Sequence, residues 1–222
     1  MSDQEREPYN PLDKRNLGES IAMALLRAPP RPLKDTTGLV GCGVYALYYT
    51  GEFAAYLPLR ERNVEDRFEE PIHVGNGEPG GGRKGKAKTK KGAGKETGLR
   101  TRLGIHRRSI EAVGDMTGDL KIEDFYYRAL PVDDAWIRVG ESARIERFRP
   151  LWNVVVDGFG NNPQGSGRKD QERSLWDTLH SGRKVAKELP DNSASESDSR
   201  SMIAEFLRNE RGLVSVEVKG GR

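Results

Sequence analysis

The chain has 222 residues, which is enough for one substantial domain with appendages. Hydrophobic residues make up 35% and charged residues 32%, and no run of about 18 apolar residues predicts a membrane span. The single cysteine, Cys42, excludes an intrachain disulfide and a zinc site built on cysteines. Because the polar N-terminal segment also lacks a signal-peptide pattern, we expect a protein of the reducing cytoplasm.

Positive charge is concentrated in one stretch of the sequence. Eleven Lys/Arg and one acid, Glu96, lie between Arg83 and Arg108, a local charge of +10 against a net charge of +3 for the whole chain. A basic block on an otherwise acidic chain points to a polyanionic partner. Residues 77–97 consist mainly of Gly, Lys and Arg, which predicts a solvated loop that becomes ordered on nucleic acid.

The N-terminal half predicts one helix and two strands. Apolar residues recur at helical spacing over residues 17–27. Residues 43–51 are rich in β-branched and aromatic residues between glycines, and the alternation places Tyr45 on one face of a strand with Leu47 and Tyr49. Residues 71–74 predict a second strand, which carries His73.

A long helix is predicted over residues 99–113. Leu99, Leu103, Ile110 and Val113 fall on one face, and His106 lies in the same apolar stripe. Arg102 precedes His106 by four residues, so both side chains can reach the same neighbour. Residues 124–130 predict a third strand.

The next predicted helix carries a carboxylate, that of Glu141, on its apolar side. That helix is predicted from a cap at Asp133 or Asp134 to about Phe148, where Glu141 shares a face with Ile145 and Phe148. A buried charge without a partner is costly, so Glu141 is a candidate for a functional role. Glu146, in contrast, is predicted to face water.

The remaining elements are short, and the chain divides into three parts. We predict helices over residues 174–179 and 201–210, a disordered Ser/Asp/Glu linker over 191–200, and a strand or tail over 213–218. The parts are an N-terminal arm with a helix (1–40), a central domain that contains the basic loop (41–183) and a C-terminal tail with the linker and a short helix (184–222).

Several linear strings point to one family. They are Gly-Val-Tyr-Ala-Leu-Tyr-Tyr-Thr-Gly at 43–51, Arg-x-x-x-His at 102–106, Pro-Leu-Trp-Asn at 150–153, Val-Val-Asp-Gly-Phe-Gly-Asn at 155–161 and Trp-Asp-x-x-His at 176–180. Together they resemble the GIY-YIG type II restriction endonucleases of the branch that cuts CCGCGG. The resemblance implies an α+β fold, with a small GIY-YIG-type sheet, flanking helices, a long basic loop insertion and extra terminal helices. In two places the sequence departs from the family: His73 replaces its second tyrosine, and Asn76 replaces a frequent lysine.

The resemblance also implies the roles of individual residues. Glu141 would hold one divalent ion, with Mg²⁺ favoured because oxygen ligands suit a hard cation. Tyr45 would be the general base and Arg102 the clamp on the scissile phosphate. His106 would donate to a phosphate oxygen or relay a proton, and Asn153 would brace the site. His73 would keep the positional role of the family tyrosine, since both side chains have a hydrogen-bonding tip on an aromatic ring.

The implied partner is double-stranded DNA, bound by a homodimer because a palindrome favours two-fold symmetry. No nucleotide cofactor and no membrane contact are expected. The candidate DNA-binding residues share cationic or amide side chains suited to phosphates and base edges. They are Arg83, Lys84, Lys86, Lys88, Lys90, Lys91, Arg107, Arg108, Asn161 and Arg168.

Each candidate also has a structural alternative. Tyr45 and His106 are core residues in one alternative, and in another Glu141 only pairs with Arg102. Asn153 would then be a helix or turn cap. For the whole chain, the alternatives are a homing or repair-type GIY-YIG nuclease, a catalytically inactive DNA-binding relative, and an enzyme whose transition metal is held by His73 and His106.

Overall fold

A four-stranded antiparallel sheet organises the fold. The computed structural model describes residue 10 and residues 12–78, 97–133, 135–137, 148–160 and 171–219. The strands are β1 (Arg31–Pro32), β2 (Gly43–Tyr49), β3 (His73–Gly77) and β4 (Phe125–Pro131). They lie side by side in the order β1–β4–β2–β3. The sheet therefore has β2 inside it and β3 at one edge.

Strand β2 is buried along its whole length. Neighbouring strands pair with it on both sides, and side chains cover both of its faces. Tyr45, Leu47 and Tyr49 belong to the main core, whereas Ala46 and Tyr48 pack in a second cluster with Leu25. The predicted alternation is confirmed, and its aromatic and β-branched residues suit a strand covered on both faces.

Helices flank the sheet, which confirms the α+β class. They are α1 (Lys14–Arg27), α2 (Leu57–Asn63), α3 (Gly98–Thr117), α4 (Leu151–Val154), α5 (Leu175–Leu179) and α6 (Glu196–Lys219). Helix α3 buries Leu99, Leu103 and Ile110 together with His106, as its period predicts. It ends at Gly118, whose left-handed φ of 77° is typical of a helix C-terminus.

The outer edge of β3 is covered by α4. The Trp152 N–H donates to the Ile72 carbonyl at 2.9 Å. The Asn153 side chain then binds the backbone of Val74 twice, accepting from its N–H at 2.8 Å and donating to its carbonyl at 3.0 Å. The Asn153 side chain thus makes the two backbone hydrogen bonds that a neighbouring strand would otherwise make to Val74 at this edge. These bonds keep β3 aligned beside β2.

The C-terminal region differs from the prediction. Helix α6 runs over Glu196–Lys219, so the disorder predicted over 196–200 and the strand or tail predicted over 213–218 are wrong. The polar start of α6 forms a reciprocal cap, in which Ser195 and Asp198 each accept the other's backbone N–H. Buried Ile203 and Leu207 then attach the helix to the core. A Ser/Asp/Glu-rich composition therefore marks a helix start here rather than a linker.

Part of one predicted helix and most of the basic loop lie outside the described residues. Residues 135–137 are helical, but 138–147 are not described. The basic loop predicted over 77–97 begins with the last residue of β3, and its residues 79–96 also lie outside the described part of the chain. Within the described residues, no helix has the length and hydropathy that a membrane crossing requires.

Candidate active site

The centre of the candidate site is a buried hydrogen bond between Tyr45 and His106. The Tyr45 Oη lies 2.5 Å from the His106 Nε2, and both side chains are fully buried. Tyr45 projects from the middle of β2, and His106 projects from the inner face of α3. The alternation of the strand and the period of the helix thus bring together two residues that are sixty-one positions apart.

A glycine in β3 makes room for the Tyr45 phenol. Gly75 is the register partner of Tyr45 in the β2–β3 ladder. A Cβ atom at Gly75 would overlap the Tyr45 Oη and would lie 3.3 Å from the His73 Nε2. The absence of a side chain at this position therefore lets Tyr45 and His73 approach the same point.

His73 lies beside this pair with its ring buried. Its ring centroid is 6.0 Å from that of Tyr45 and 5.2 Å from that of His106. Burial, with a contribution from the Arg102 charge, lowers the pKa of His73 to about 3. Neither ring nitrogen makes a hydrogen bond of good geometry with a described residue, although the nearby Asn153 side chain acts against the lowering of this pKa. A neutral, buried histidine thus lies beside the Tyr45–His106 pair.

The surroundings of His106 favour its neutral form. Burial, followed by the neighbouring His73, Arg102 and Arg183, lowers the pKa of His106 well below its usual value. We infer that Nε2 accepts the proton of the Tyr45 hydroxyl, since a neutral imidazole offers one acceptor nitrogen. The other nitrogen, Nδ1, is buried without a partner in the described part of the chain.

Arg102 lines a cavity of about 310 Å³, whose other walls include Asn76 and Thr101 but neither Tyr45 nor His106. Its Nη1 donates to the Gly160 carbonyl at 2.9 Å, and the residue is half-buried. The cavity is also lined by Glu78 and Thr97, the two described residues that flank the basic segment. A guanidinium with a fixed position and a partly open face is suited to bind a phosphate.

The other predicted site residues fall into two groups. Asn153 braces β3 through the two bonds to Val74 and does not touch the Tyr45–His106 pair by a hydrogen bond. On α3, Arg107 pairs with Glu111 at 3.5 Å, and Arg108 is exposed. The remaining candidates lie outside the described residues: Arg83, Lys84, Lys86, Lys88, Lys90, Lys91, Glu141, Asn161 and Arg168.

The metal that the resemblance implies depends on one of those undescribed residues. Among the described residues, no group of three or more His, Cys, Asp or Glu could hold an ion, which gives the alternative of a His73–His106 metal site no support. Glu141 would therefore act with water and phosphate oxygens, the usual ligand set of Mg²⁺.

Two parts of the surroundings were not predicted from the sequence. Phe159 stacks on His106 with ring centroids 4.4 Å apart and 16° between the planes. Asp177 and Arg183 form a buried ion pair at 2.6 Å, and Arg183 Nη2 also donates to the Gly158 carbonyl at 3.0 Å. The string at residues 155–161, which contains Phe159, was the available sequence signal.

His180 has a structural role. Its Nε2 lies 2.6 Å from the Tyr56 Oη, which also accepts a bond from Trp152 Nε1 at 2.9 Å. Burial lowers the pKa of His180 to about 3. This second Tyr–His pair lies within the aromatic core, with the ring centroid of Phe53 4.9 Å from that of His180.

A comparison with protein families identifies the class of the chain. The family model described as the Eco29kI GIY-YIG domain matches residues 38–207. No curated protein matches the sequence. The chain belongs to the Eco29kI GIY-YIG domain family, a family of restriction endonucleases. It is a restriction-type nuclease, and a domain of this kind implies DNA as the partner.

Proposed function

We propose that this nuclease is a type II restriction endonuclease that hydrolyses both strands of double-stranded DNA at CCGCGG. The observation that carries the catalytic part of the proposal is the 2.5 Å hydrogen bond between Tyr45 and His106, next to Arg102. The proposed recognition sequence comes from the resemblance of residues 43–51, 102–106 and 150–161 to the branch that cuts this palindrome. The proposed assembly is a homodimer, with one site for each strand.

In the proposed mechanism, the hydrogen bond to His106 would allow Tyr45 to act as a general base. An isolated phenol has a pKa of about 10 and is poorly matched to water activation near neutral pH. A neutral His106 can accept the Tyr45 proton at Nε2 while Tyr45 Oη takes a proton from the attacking water. The proton then moves away from the nucleophile as negative charge develops on the phosphate.

Arg102 would stabilise that charge. It donates to a backbone carbonyl within the site and borders the cavity, a position from which its guanidinium could bind the scissile phosphate. We propose Mg²⁺ at Glu141, where it would supply further charge neutralisation and stabilise the leaving oxygen. Asn153 would act indirectly by keeping β3 aligned beneath Tyr45.

The decisive experiment is digestion of a DNA library that contains all six-base palindromes, followed by sequencing of the cut ends. We expect cleavage at CCGCGG with Mg²⁺ and none with EDTA. Tyr45→Phe should lower the single-turnover rate about 10²- to 10⁴-fold, the range for lost proton transfer. Tyr48→Phe, on the opposite face of β2, serves as the control and should retain most activity.

Different outcomes separate the alternatives. Cleavage at another sequence overturns the proposed specificity but not the chemistry. Binding without cleavage under any divalent cation favours an inactive DNA-binding relative. Cleavage that persists in Tyr45→Phe excludes the Tyr45–His106 pair as the base.

A further inference from the structure

The loop at residues 158–160 is held by two arginines, one on each side. Arg183 Nη2 donates to the Gly158 carbonyl at 3.0 Å, and Arg102 Nη1 donates to the Gly160 carbonyl at 2.9 Å. Phe159 lies between these two carbonyls and is 5% exposed. The loop is therefore fixed at both ends, and its one large side chain faces inward.

Phe159 covers one face of the His106 ring. The two rings stack with centroids 4.4 Å apart and 16° between their planes. Trp152, at 4.4 Å, and Trp176, at 5.2 Å, support Phe159 from behind. Gly160 has a left-handed φ of 77°, and a Cβ there would lie 2.5 Å from His106 Cε1. The loop thus fits closely around the imidazole and leaves it little freedom to rotate.

The anchor of the loop is itself buried and fully paired. Arg183 donates to Asp177 through Nε at 2.7 Å and Nη2 at 2.6 Å, and both side chains are only 6% exposed. Ser174 Oγ donates to Asp177 at 2.8 Å. A buried pair with two parallel hydrogen bonds has a defined geometry, which makes it a rigid support for the Gly158 carbonyl.

We propose that Phe159 is a positioning residue for catalysis, which holds the His106 imidazole on Tyr45 and keeps water away from it, with the Asp177–Arg183 pair fixing the loop that carries it. This inference rests on the proposed function for its effect on cleavage. The arrangement of the loop around His106 is independent of the DNA sequence that is cut.

The low pKa of His106 reflects its burial and the groups around it. They are Tyr45 from β2, His73 from β3, Arg102 from α3 and Arg183 from the segment after α5. Burial is the largest cause of the lowered pKa of His106, and the three neighbouring bases act in the same direction. Loss of the Phe159 ring would admit water, and the pKa of His106 would rise toward its usual value. A protonated His106 cannot accept the Tyr45 proton.

The first test compares two core substitutions of equal size. Phe159→Leu removes the ring that stacks on His106, whereas Phe125→Leu removes a fully buried ring that contacts Tyr49 and Trp152 instead. We expect Phe159→Leu to lower the single-turnover cleavage rate at least tenfold with DNA affinity unchanged, and to shift the acid limb of its pH profile upward. Phe125→Leu should leave the pH profile in place. Identical profiles for both variants would overturn the proposal.

The second test does not depend on cleavage. The chain has three histidines, so ¹⁵N-histidine NMR gives three pairs of imidazole nitrogen signals that single substitutions can assign. In the wild type, His106 should not titrate in the range of a free histidine. In Phe159→Leu it should do so, and in Phe125→Leu it should not. An unchanged His106 titration in Phe159→Leu overturns the inference, whereas a wild type that cuts no DNA overturns the proposed function instead.

A milder variant covers the case in which Phe159→Leu does not fold. Arg183→Lys keeps a cation against Asp177 but loses the second arm that reaches the Gly158 carbonyl. We expect a smaller shift of the His106 titration in the same direction. If Arg183→Lys leaves both the titration and the pH profile of cleavage unchanged, the loop is not the device that positions His106.

Discussion

At the scale of single residues, the carboxylate assigned to the metal is the most direct prediction to test. We expect Glu141→Ala to abolish cleavage and to leave DNA binding largely intact, because it would remove the only proposed protein ligand of the ion. Glu146→Ala, five residues further along the chain, is the matched control and should remain active. Plasmid nicking and a gel-shift assay measure the two properties. The reverse pattern would mean that the predicted phase of this helix is wrong.

His73 is the second test at this scale. Its pKa of about 3 keeps it neutral throughout the pH range of a cleavage assay, so a positional role does not require titration. His73→Tyr should retain substantial cleavage, because a tyrosine ring can fill the same place beside Tyr45 and His106. His73→Ala leaves that place empty and should lose roughly 1–3 kcal/mol of positioning, or about ten- to a hundred-fold in rate.

Single-turnover assays from pH 6 to 9 distinguish the roles of His73. Equal and complete loss of activity in both variants would contradict the positional role. It would instead indicate proton transfer or metal binding by His73.

How well the sequence predicts the contacts of these residues depends on how far apart the partners lie along the chain. The strand alternation identifies the face of Tyr45, and the helical period places His106 on the inner side of α3, since both are local patterns. The bonds of Asn153 to Val74 and of Arg183 to Gly158 go to backbone atoms seventy-nine and twenty-five residues away, which no local pattern encodes. The prediction also failed at the start of α6, for a different reason. The Ser/Asp/Glu composition of residues 191–200 is typical of a linker, but Ser195 and Asp198 have the spacing of a helix cap.

At the scale of elements, the edge of β3 makes a measurable contribution to stability. Asn153→Ala removes two hydrogen bonds to Val74 and should lower the free energy of unfolding by about 1–3 kcal/mol. Asn153→Asp can still accept from the Val74 N–H but cannot donate to its carbonyl, so it should fall between the wild type and the alanine variant. Urea denaturation measures the series. Equal stability of all three proteins would show that the backbone of α4 holds the edge without the Asn153 side chain.

The basic segment is the second element with a quantitative expectation. Replacing residues 83–91 by a Gly/Ser linker removes six Lys/Arg side chains. Each phosphate contact contributes about 0.9 to the slope of log affinity against log salt, so this slope should flatten by up to about 5. Binding should weaken at all sequences, cognate or not. A slope that does not change would mean that the segment is only a connection between β3 and α3.

At the scale of the whole molecule, the buried histidines predict sensitivity to acid. His73 and His180 have pKa values of about 3 in the folded protein, and that of His106 is also well below normal. Below a pH of about 6.5 the unfolded chain binds protons that the folded chain does not, so stability falls as the pH decreases toward the folded pKa values. Each histidine contributes about 1.4 kcal/mol per pH unit.

A His180→Gln variant isolates this contribution from that of the carboxylates. It removes one of the three histidines and leaves the other two in place. The slope of unfolding free energy against pH, measured between pH 6 and 4, should therefore decrease by about 1.4 kcal/mol per unit. The same slope in both proteins would show that His180 is protonated in the folded state.

The register of β2 with β4 has a consequence for the synthesis of the enzyme. Gly43 pairs with Pro131 and Tyr49 with Phe125, and the support for the Gly158 carbonyl comes from Arg183. Pairings between such distant segments close large loops and slow the folding of a chain. A partly translated chain can form α3, yet it lacks the later segments that enclose His106. We therefore expect nuclease activity to appear only after the segment that carries Arg183 has left the ribosome.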